Sequence, residues 1–394
     1  MRDFAQELVD LVIDNVAATT IATDIGNCGR VCRHWFPRSR IHLFSHLTLT
    51  NAGSANIESF LNIIDGSFVP ILSLVHTLHI RIVVHSPRPS DQHMTRLRNL
   101  PNLKELRMHG QTVDSSNFLQ EVQFFSLVDS YVLSVGTGCT SLTRFDLVLP
   151  TTLSIHVLAD VLSSLPFLRE LRLSPENYGA GIVDPATFPT PTEGIVDRKT
   201  APRTDAFPPH LHTLDIELYV GASLLFRWLL SLPEPPILTS LTIKASESLE
   251  SHGPVETYLR RFGAHTESLT LAYHLEDRFS GYLIEDTRAL EARIFRFTPR
   301  LVKLELSMQQ SETIPTILLL LPSAHLTTLK VGVCINVGTR EPDWSAIDKV
   351  VSRFGTLLRL SVTDQRLGHS IITTEAMGLM PNARARNILV LNVV

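Results

Sequence analysis

Cysteine is scarce in this sequence, and no cysteine framework can be built from it. The 394 residues contain four cysteines, Cys28, Cys32, Cys139 and Cys334, and none of them form a C-x-x-C pair. So few cysteines in so long a chain exclude a disulfide scaffold and favour a reducing compartment. Cys28 and Cys32 lie four residues apart and are predicted to be small buried side chains of one helix.

Long apolar runs are also missing. The longest aliphatic run, Ile317 to Leu321, ends at Pro322, and a membrane-spanning helix needs roughly 20 apolar residues. Acidic residues interrupt the apolar positions of the first helix-like stretch, which excludes a signal-peptide core there. We therefore expect a cytoplasmic or nuclear protein with no membrane segment.

The short motifs of common catalytic sites are absent as well. The sequence contains no G-x-S-x-G, Walker A, G-x-G-x-x-G or H-E-x-x-H motif, so no enzyme activity, cofactor or metal is predicted. His76 and His79 are predicted to be ordinary, non-ligand histidines of a strand. A catalytic site built from residues distant in sequence would carry no short motif and stays an alternative.

The charge pattern does not favour nucleic acid. The formal net charge is -4, whereas nucleic-acid-binding domains present a basic stripe or face. No run of Arg and Lys with interleaved aromatic residues is found.

What the sequence does contain is a repeat. The six-residue pattern apolar-x-x-apolar-x-apolar recurs, as in LRELRL from Leu168 and LVKLEL from Leu301. We call its fourth residue the anchor, and the anchors are Leu47, Leu78, Leu106, Phe145, Leu171, Leu214, Leu241, Leu269, Leu304, Leu329 and Leu360. Most anchors follow one another at about 25 to 31 residues, close to the leucine-rich-repeat range of roughly 20 to 29. ILVLNV from Ile388 is a doubtful further copy.

Between these predicted strands, apolar residues recur with helical spacing. The predicted helices are 57–64, 154–165, 222–232, 255–262, 289–297 and 344–354. Prolines often follow them and mark the end of the helix. Since one helix-strand unit cannot bury its apolar face alone, stacked units are expected to share a core beneath a parallel sheet.

These patterns predict an α/β leucine-rich-repeat solenoid, a horseshoe with a parallel sheet backed by helices, preceded by a small all-α segment. The predicted boundaries are 1–46 for the helical segment and 47–394 for the repeats. A Pro-rich insertion at 174–209 interrupts the repeats and is predicted to be a mobile excursion, with a gating or partner-binding loop as the alternative.

The first 46 residues do not follow the repeat, and two motifs in them are informative. FAQELVDLVIDNV, from Phe4 to Val16, predicts an amphipathic helix, and Ile25, Cys28, Val31, Cys32 and Trp35 predict a second. The order of the first motif and VCRHW, Val31 to Trp35, resembles an F-box, although Phe4-Ala5 stands where that family has Leu-Pro. The continuation PRSRIHLF is similar to that of F-box proteins from mushroom-forming fungi.

The resemblance implies a substrate-recruiting adaptor subunit of a Skp-cullin-F-box ubiquitin ligase. The F-box would dock on a Skp-type adaptor, and through it on a cullin, while the repeats would bind a protein substrate. Carried over by position, the candidate adaptor contacts are Phe4, Leu8, Val9, Val12, Ile13, Val31, Cys32 and Trp35. Two alternatives stay open: some of these residues pack the helices together, or the chain is a leucine-rich-repeat scaffold or inhibitor whose helices only cap the repeats.

Residues next to each anchor are expected to line the outward face of the sheet, because alternate side chains of a strand point to opposite sides. The charged candidates for substrate contact on this face are Arg107, Asp146, Arg172, Asp215, Glu305 and Lys330. One interpretation is a mixed-charge surface that orients a protein partner. The other is that neighbouring charges satisfy one another across adjacent strands.

Overall fold

A computed structural model of the chain describes residues 5–19, 22–51, 57–65, 71–83, 97, 100–111, 139–149, 153–176, 182–183, 207–218, 221–245, 252–273, 294–308, 314–321, 325–333, 343–364 and 378–393. The chain divides into two compact units. The first comprises Met1–Pro150 and Asp160–Leu168, and the second comprises Thr151–Ala159 and Arg169–Val394.

The first unit begins with three helices and continues with four parallel strands. The helices are α1 (Gln6–Thr19), α2 (Ala22–Val31) and α3 (Phe36–Ser45). The strands β1 (His46–Thr50), β2 (Thr77–Val83), β3 (Glu105–Gln111) and β4 (Arg144–Leu149) pair in chain order. Helix α4 (Ile57–Asp65) and a 3-10 turn (Ile71–Leu74) lie between β1 and β2 in the chain.

The second unit contains a run of eight parallel strands that also pair in chain order. They are β6 (Glu170–Pro175), β8 (Thr213–Leu218), β9 (Ser240–Ala245), β10 (Ser268–Tyr273), β11 (Lys303–Met308), β12 (Thr328–Val333), β13 (Arg359–Asp364) and β14 (Leu389–Val393). A separate short pair joins β5 (Leu153–Ser154) to β7 (Ile182–Val183). Further described helices are α5 (Ile155–Ser163), whose residues from Asp160 onward belong to the first unit, α6 (Ala222–Ser231), α7 (His252–Phe262), α8 (Ile314–Leu319), α9 (Trp344–Val351) and α10 (Pro381–Ala385).

The strand register is set by the anchors. In the first unit Leu47, Leu78, Leu106 and Phe145 pair in succession across the strands. In the second unit the seven anchors from Leu171 to Leu360 do the same. Every anchor except the half-buried Leu47 is buried. The predicted α/β leucine-rich-repeat fold with preceding helices is therefore confirmed.

The doubtful last copy is a real strand, but its register differs from the prediction. Leu360 pairs with Leu389, whereas the pattern ILVLNV would have made Leu391 the anchor. The strand is thus displaced by two residues from the predicted register. A shift of two residues keeps the same side chains facing inward, so the apolar pattern fits both registers equally well. The boundary at residue 46 stays a prediction, and most of the insertion at 174–209 lies outside the described residues.

At eight described strands, consecutive repeats are joined by a forked backbone hydrogen bond at the start of the strand. The carbonyl oxygen two residues before an anchor accepts hydrogen bonds from two successive N–H groups of the next repeat. Lys104 O, for example, accepts from Thr143 N at 2.9 Å and Arg144 N at 3.0 Å. The same fork recurs at His76, Arg169, His212, Thr239, Glu267, Val302 and Thr327. It satisfies backbone groups that would otherwise be left unpaired near the core.

Hydroxyl side chains add a second link between repeats. Ser141 Oγ donates to Leu103 O at 2.9 Å, Thr266 Oγ1 to Leu238 O at 3.2 Å, and Thr356 Oγ1 to Leu326 O at 2.9 Å. In each case the acceptor is the first apolar residue of the preceding copy. The leucine-rich-repeat pattern L-x-x-L-x-L-x-x-N normally carries an asparagine after the strand. In these three copies Gln111, Ser246 and Cys334 stand at that position, and the hydroxyls connect the repeats instead.

Thr266→Val is expected to reduce the free energy of unfolding by about 1 to 2 kcal/mol. The change keeps the shape of a buried side chain but leaves the Leu238 carbonyl without its hydrogen bond. Urea denaturation followed by circular dichroism measures the loss. Thr257→Val is the control, because Thr257 is exposed and bonds only within its own helix. Equal stabilities of the two variants would contradict a role for the hydroxyl.

The helices between the strands occur close to where the sequence predicts them. Five predicted helices correspond to α4, α5, α6, α7 and α9, and of 289–297 only the end is described, where 294–296 are helical. Asp343 caps α9 by accepting a hydrogen bond from Ala346 N at 2.9 Å. Gly221 precedes α6 with φ +96°, and a Cβ there would lie 1.9 Å from Ile182 O. Only glycine tolerates both the backbone angle and this close approach.

One asparagine that the sequence analysis missed joins β1 to β2. Asn51 follows β1, its Nδ2 donates to Val83 O at 3.0 Å, and its Oδ1 accepts from Val83 N at 2.7 Å. In the repeat pattern an asparagine follows the anchor by five residues. Asn51 follows the anchor Leu47 by four residues, so it was visible in the sequence but one position early.

Two buried polar contacts fasten the last described strand. The carboxylate of Asp348, in α9, accepts hydrogen bonds from Asn382 N at 2.9 Å, Asn382 Nδ2 at 2.9 Å and Ala383 N at 2.8 Å. Arg386 Nη2 donates to Phe354 O at 3.0 Å and to Leu357 O at 2.9 Å. Together they hold the segment around α10, which leads directly into β14.

Asp348→Ala is expected to open this carboxyl-terminal segment. It would leave the buried N–H group of Ala383 and the partly buried N–H group of Asn382 without acceptors, at a loss of about 2 kcal/mol. Hydrogen exchange measured peptide by peptide should show faster exchange over residues 378–393, with β9 and β10 unchanged. Lys349→Ala, at the exposed neighbouring position, serves as the control. Uniformly faster exchange through the second unit would contradict a local fastening role.

Candidate functional site

The amino-terminal helices pack through a few small and aliphatic side chains. Val9 and Ile13 of α1 and Ile25 of α2 are buried. Ser39 of α3 is also fully buried, and its Oγ donates to Trp35 O at 2.8 Å. A Cβ added at Gly29 would already touch the Ser39 Cβ at 3.5 Å. Small residues thus let α2 and α3 approach closely.

A charged cluster joins α1 to α3. Asp14 of α1 accepts a bidentate pair from Arg38, with Nε and Nη2 both at 2.7 Å from its oxygens. His42 Nε2 lies 2.7 Å from Asp14 Oδ1. Hydrogen bonds from Arg38 and then His42 hold the pKa of the Asp14 carboxyl at about 2, below its ordinary value of 3.8. No local sequence pattern indicates this cluster, because its members lie 24 and 28 residues apart in the chain.

The segment between α2 and α3 contains a correction to the sequence prediction. Helix α2 ends at Val31, residues 33–35 form a turn, and Trp35 caps α3, whose first turn carries Pro37. The prediction of one helix that includes Ile25 and Trp35 was therefore wrong. Proline is favoured in the first turn of a helix, and Pro37 marks the start of a separate helix. Cys32 is consequently exposed and Cys28 half-buried, so the prediction of two buried cysteines was wrong as well.

The candidate adaptor contacts separate into two groups. Val9 and Ile13 are buried among the helices, whereas Leu8, Val12, Val31 and Cys32 are exposed and Trp35 is half-buried. Phe4 lies outside the described residues. Val9 and Ile13 thus pack the helices together, which is the alternative that the sequence left open for them.

Two exposed apolar residues that were not among the candidate adaptor contacts lie on the same helices. Leu11 and Phe36 are exposed along with Leu8, Val12 and Val31, and the five range from 45 to 62% exposed. Leu8, Leu11 and Val12 share one face of α1, a spacing that was visible in the sequence. Gln6 Nε2 donates to His34 O at 3.2 Å, which brings the start of α1 beside the turn after Val31. We call Leu8, Leu11, Val12, Val31 and Phe36 the apolar surface of the helices.

Of the basic residues near this surface, Arg38 and Arg40 contact other side chains of the helices. Arg40 lies over the Phe36 ring, with its guanidinium carbon 4.5 Å from the ring centroid. Arg33 and His34 are exposed. Arg38 and Arg40 therefore stabilise the helices rather than form a free basic patch.

On the outward face of the first unit, the charges pair with one another. Arg107 Nε lies 2.6 Å from Glu105 Oε1 and 3.5 Å from Asp146 Oδ2. Arg144 Nε lies 3.4 Å from Glu105 Oε1 and 3.1 Å from Asp146 Oδ1. For the charged residues beside the anchors of β3 and β4, these distances favour the second interpretation, in which neighbouring charges satisfy one another. His79 and His109 stack beside the network with ring centroids 6.2 Å apart, and burial, with nearby Arg81, lowers the pKa of His79.

The outward face of the second unit has a different distribution of charge. Arg172 Nε lies 3.5 Å from Asp215 Oδ2, and Lys244 Nζ lies 3.4 Å from Glu217 Oε2. Lys330 Nζ lies 3.3 Å from Glu305 Oε2. All six charged residues lie beside anchors on their strands, Arg107 and Asp146 in the first unit and the other four in the second. Asp146 is buried, and substrate contact by these residues stays a prediction.

No group of three or more His, Cys, Asp and Glu residues is placed to hold a metal within the part of the chain that the structure describes. Burial raises the pKa of the Cys139 thiol to about 11, which makes it a poor nucleophile and ligand. Among the described helices, none has the length and apolar character needed to cross a bilayer.

Comparison with known proteins gives likenesses to solved structures. No family model matches the sequence, and no curated protein matches it. Among solved structures, the chain is similar to the leucine-rich repeat-containing protein LegL7 from Legionella pneumophila, at 15% identity and a TM-score of 0.43, covering 80% of this chain and 90% of that one.

Two further solved structures share this likeness. The Rad7 and Elc1 complex in yeast matches at 14% identity and a TM-score of 0.37, covering 98% of this chain and 92% of that one. An internalin from Listeria monocytogenes matches at 12% identity and a TM-score of 0.28, covering 96% of this chain and 92% of that one. Likenesses at this level are too weak to indicate a function.

Asp14→Asn is expected to weaken the packing of α1 on α3 in a pH-dependent way. Because the pKa of Asp14 is lowered in the folded chain, its contribution is fully present above about pH 5 and is lost as the pH falls toward 2. The difference in thermal midpoint between the natural chain and the variant should therefore shrink over that range. Glu7→Gln, an exposed change in the same helix, is the control. A difference that does not depend on pH would contradict the role of the charge.

Proposed function

We propose that the chain is a substrate-recruiting adaptor subunit of a Skp-cullin-F-box ubiquitin ligase, acting in the cytoplasm or nucleus. In this proposal α1 to α3 dock on a Skp-type adaptor, and the outward face of the strands binds a protein substrate. The observation that carries the proposal is the apolar surface of the helices. It coincides in position with the motif that resembles an F-box.

The energetics of such a surface favour a protein partner. Burying a side chain of this kind completely is worth roughly 1.5 to 3 kcal/mol relative to full exposure. Five half-exposed apolar residues within the first 36 positions therefore offer several kcal/mol to a partner that covers them. Clustered exposed apolar residues are typical of interaction sites.

The helices also have the rigidity that a docking surface needs. Val9, Ile13 and Ile25 fill their interior, and the Asp14 cluster holds α1 to α3. Leu8, Val12, Val31, Cys32 and Trp35 are then the proposed adaptor contacts, joined by Leu11 and Phe36. Phe4 stays in the proposal from the sequence motif alone.

The chain would contribute no chemistry of its own. It would raise the effective concentration of a bound substrate near a ubiquitin-loaded enzyme, which is an effect of linkage rather than of catalysis. A repeat face suits this role because extended faces of stacked repeats serve as binding surfaces.

A second candidate function is a leucine-rich-repeat scaffold or inhibitor whose helices act as a cap. The observation that favours it is that α3 runs directly into β1, from Ser45 to His46. Helices continuous with the first strand are well placed to cover the first repeat. In that case the apolar surface would need no adaptor.

Co-purification tests the proposal against this alternative. We expect the chain to retain a co-expressed Skp-type adaptor and cullin, and the double variant Leu8→Glu/Val12→Glu to recover roughly tenfold less adaptor or lower still, because two desolvated carboxylates would face the partner. Trp35→Ala and removal of residues 1–46 should weaken recovery as well.

The matched control is Leu319→Glu/Leu379→Glu, which changes two equally exposed leucines of the second unit. It should leave adaptor recovery unchanged. Circular dichroism of each variant checks that the helices persist. The natural chain's failure to retain the adaptor, or equal recovery with both double variants, would overturn the proposal in favour of the scaffold.

A further inference from the structure

Strands β11 to β13 of the second unit present an excess of positive charge on their outward face. Residues beside the anchors Leu304, Leu329 and Leu360 point outward. These positions include Lys303, Lys330 and Arg359, all exposed, and one carboxylate, Glu305. The local charge is therefore positive in a chain whose formal net charge is -4.

Within the part of the chain that the structure describes, two of these three cations have no carboxylate partner. Lys330 Nζ is 3.3 Å from Glu305 Oε2, and Arg359 Nε donates to the hydroxyl of Ser361 at 3.2 Å. Among the described residues, Lys303 and Arg359 form no ion pair with a carboxylate. This contrasts with Arg107 and Arg144 of the first unit, which each contact two carboxylates.

The register of the strands fixes how the three cations are arranged. Lys303 pairs with Thr328, and Thr328 pairs with Arg359. Neighbouring strands are about 4.8 Å apart, so the backbones at Lys303 and Arg359 are separated by about 10 Å. Lys330 lies on the strand between them, two residues further along. We call Lys303, Lys330 and Arg359 the cationic triad.

The neighbouring strands limit the size of a negatively charged partner. On β9 and β10 the outward residues beside the anchors are hydroxyls, Ser240, Thr242, Ser268 and Thr270. Beyond them, β8 carries Asp215 and Glu217, which already face Arg172 and Lys244. A long polyanion crossing the whole face would meet these carboxylates. A short acidic run over β11 to β13 would not.

We propose that the cationic triad binds a short acidic segment of a partner protein. The hydroxyls of β9 and β10 offer neutral hydrogen-bonding groups to the continuation of that segment. A protein rather than a nucleic acid fits the site, because the outward positions of β9 to β13 carry no aromatic side chain on which bases could stack. The flanking Asp215 and Glu217 would also repel a phosphate backbone.

This inference deepens the proposed function, since it rests on the strand face being the substrate-binding surface and gives the chemistry of the substrate segment. It does not depend on adaptor docking. Binding of an acidic peptide to the chain alone can therefore fail while adaptor co-purification succeeds. Equally, the peptide can bind while co-purification of the adaptor fails.

Fluorescence anisotropy with a labelled peptide of alternating Glu and Gly tests the proposal. The full chain should bind this probe more tightly than the same peptide with Gln for Glu. The triple variant Lys303→Ser/Lys330→Ser/Arg359→Ser should lose about tenfold in affinity, the sum of three exposed charge pairs. The affinity should also fall as salt rises.

The matched control, Lys349→Ser/Arg353→Ser/Arg384→Ser, removes three exposed cations from α9, the turn after it and α10. It should bind the probe within about twofold of the natural chain, since these cations lie on helices and a turn and not on the strand face. The charge-reversed variant Lys303→Glu/Lys330→Glu should bind a Lys-Gly peptide instead.

Two outcomes would overturn the proposal. One is equal affinity of the triple variant and its control for the acidic probe. The other is that labelled oligo-dT binds as tightly as the peptide and is lost in the same triple variant, which would make the site a general polyanion site.

Discussion

The forked carbonyl that precedes eight of the described strands, together with the buried anchor two residues after it, is the constraint on which the rest of this protein depends. One oxygen fixes two N–H groups of the next repeat, and the anchor two residues later fixes which side of the strand is buried. Register then determines every outward side chain, because a slip of one residue would exchange the two faces. The paired charges of the first unit and the cationic triad of the second both follow from that register.

The amino-terminal helices are held together by interactions other than strand pairing. They are too few and too short to build a large core, so three buried aliphatic residues and one charged cluster hold them together. The apolar residues that this small core cannot accommodate lie outside.

The fold could be predicted from the sequence because anchors recur at a nearly constant spacing and burial follows them. LVKLEL and LTTLKV give their strands, inward residues and outward residues without further information. The register of the last copy could not be predicted, since Leu389 and Leu391 have the same parity in the strand. Nor could the Asp14 cluster, whose members are brought together only by tertiary packing, or the exposure of Cys32, which depends on where α2 ends. On the strand face the sequence identified the charged residues, but only distances distinguish a satisfied charge from a free one.

The alternation of anchored and outward residues also bears on how such a chain changes over generations. Leu304 and Glu305 are neighbours in sequence, yet the first is held by the whole array and the second by a single contact to Lys330. Substitutions at outward positions can therefore accumulate without loss of folding, while those at anchors are removed. The same array can acquire a new recognition specificity by exchanging a few outward residues on adjacent strands, and its evolutionary history would be read most clearly in the contrast between these two sets of positions.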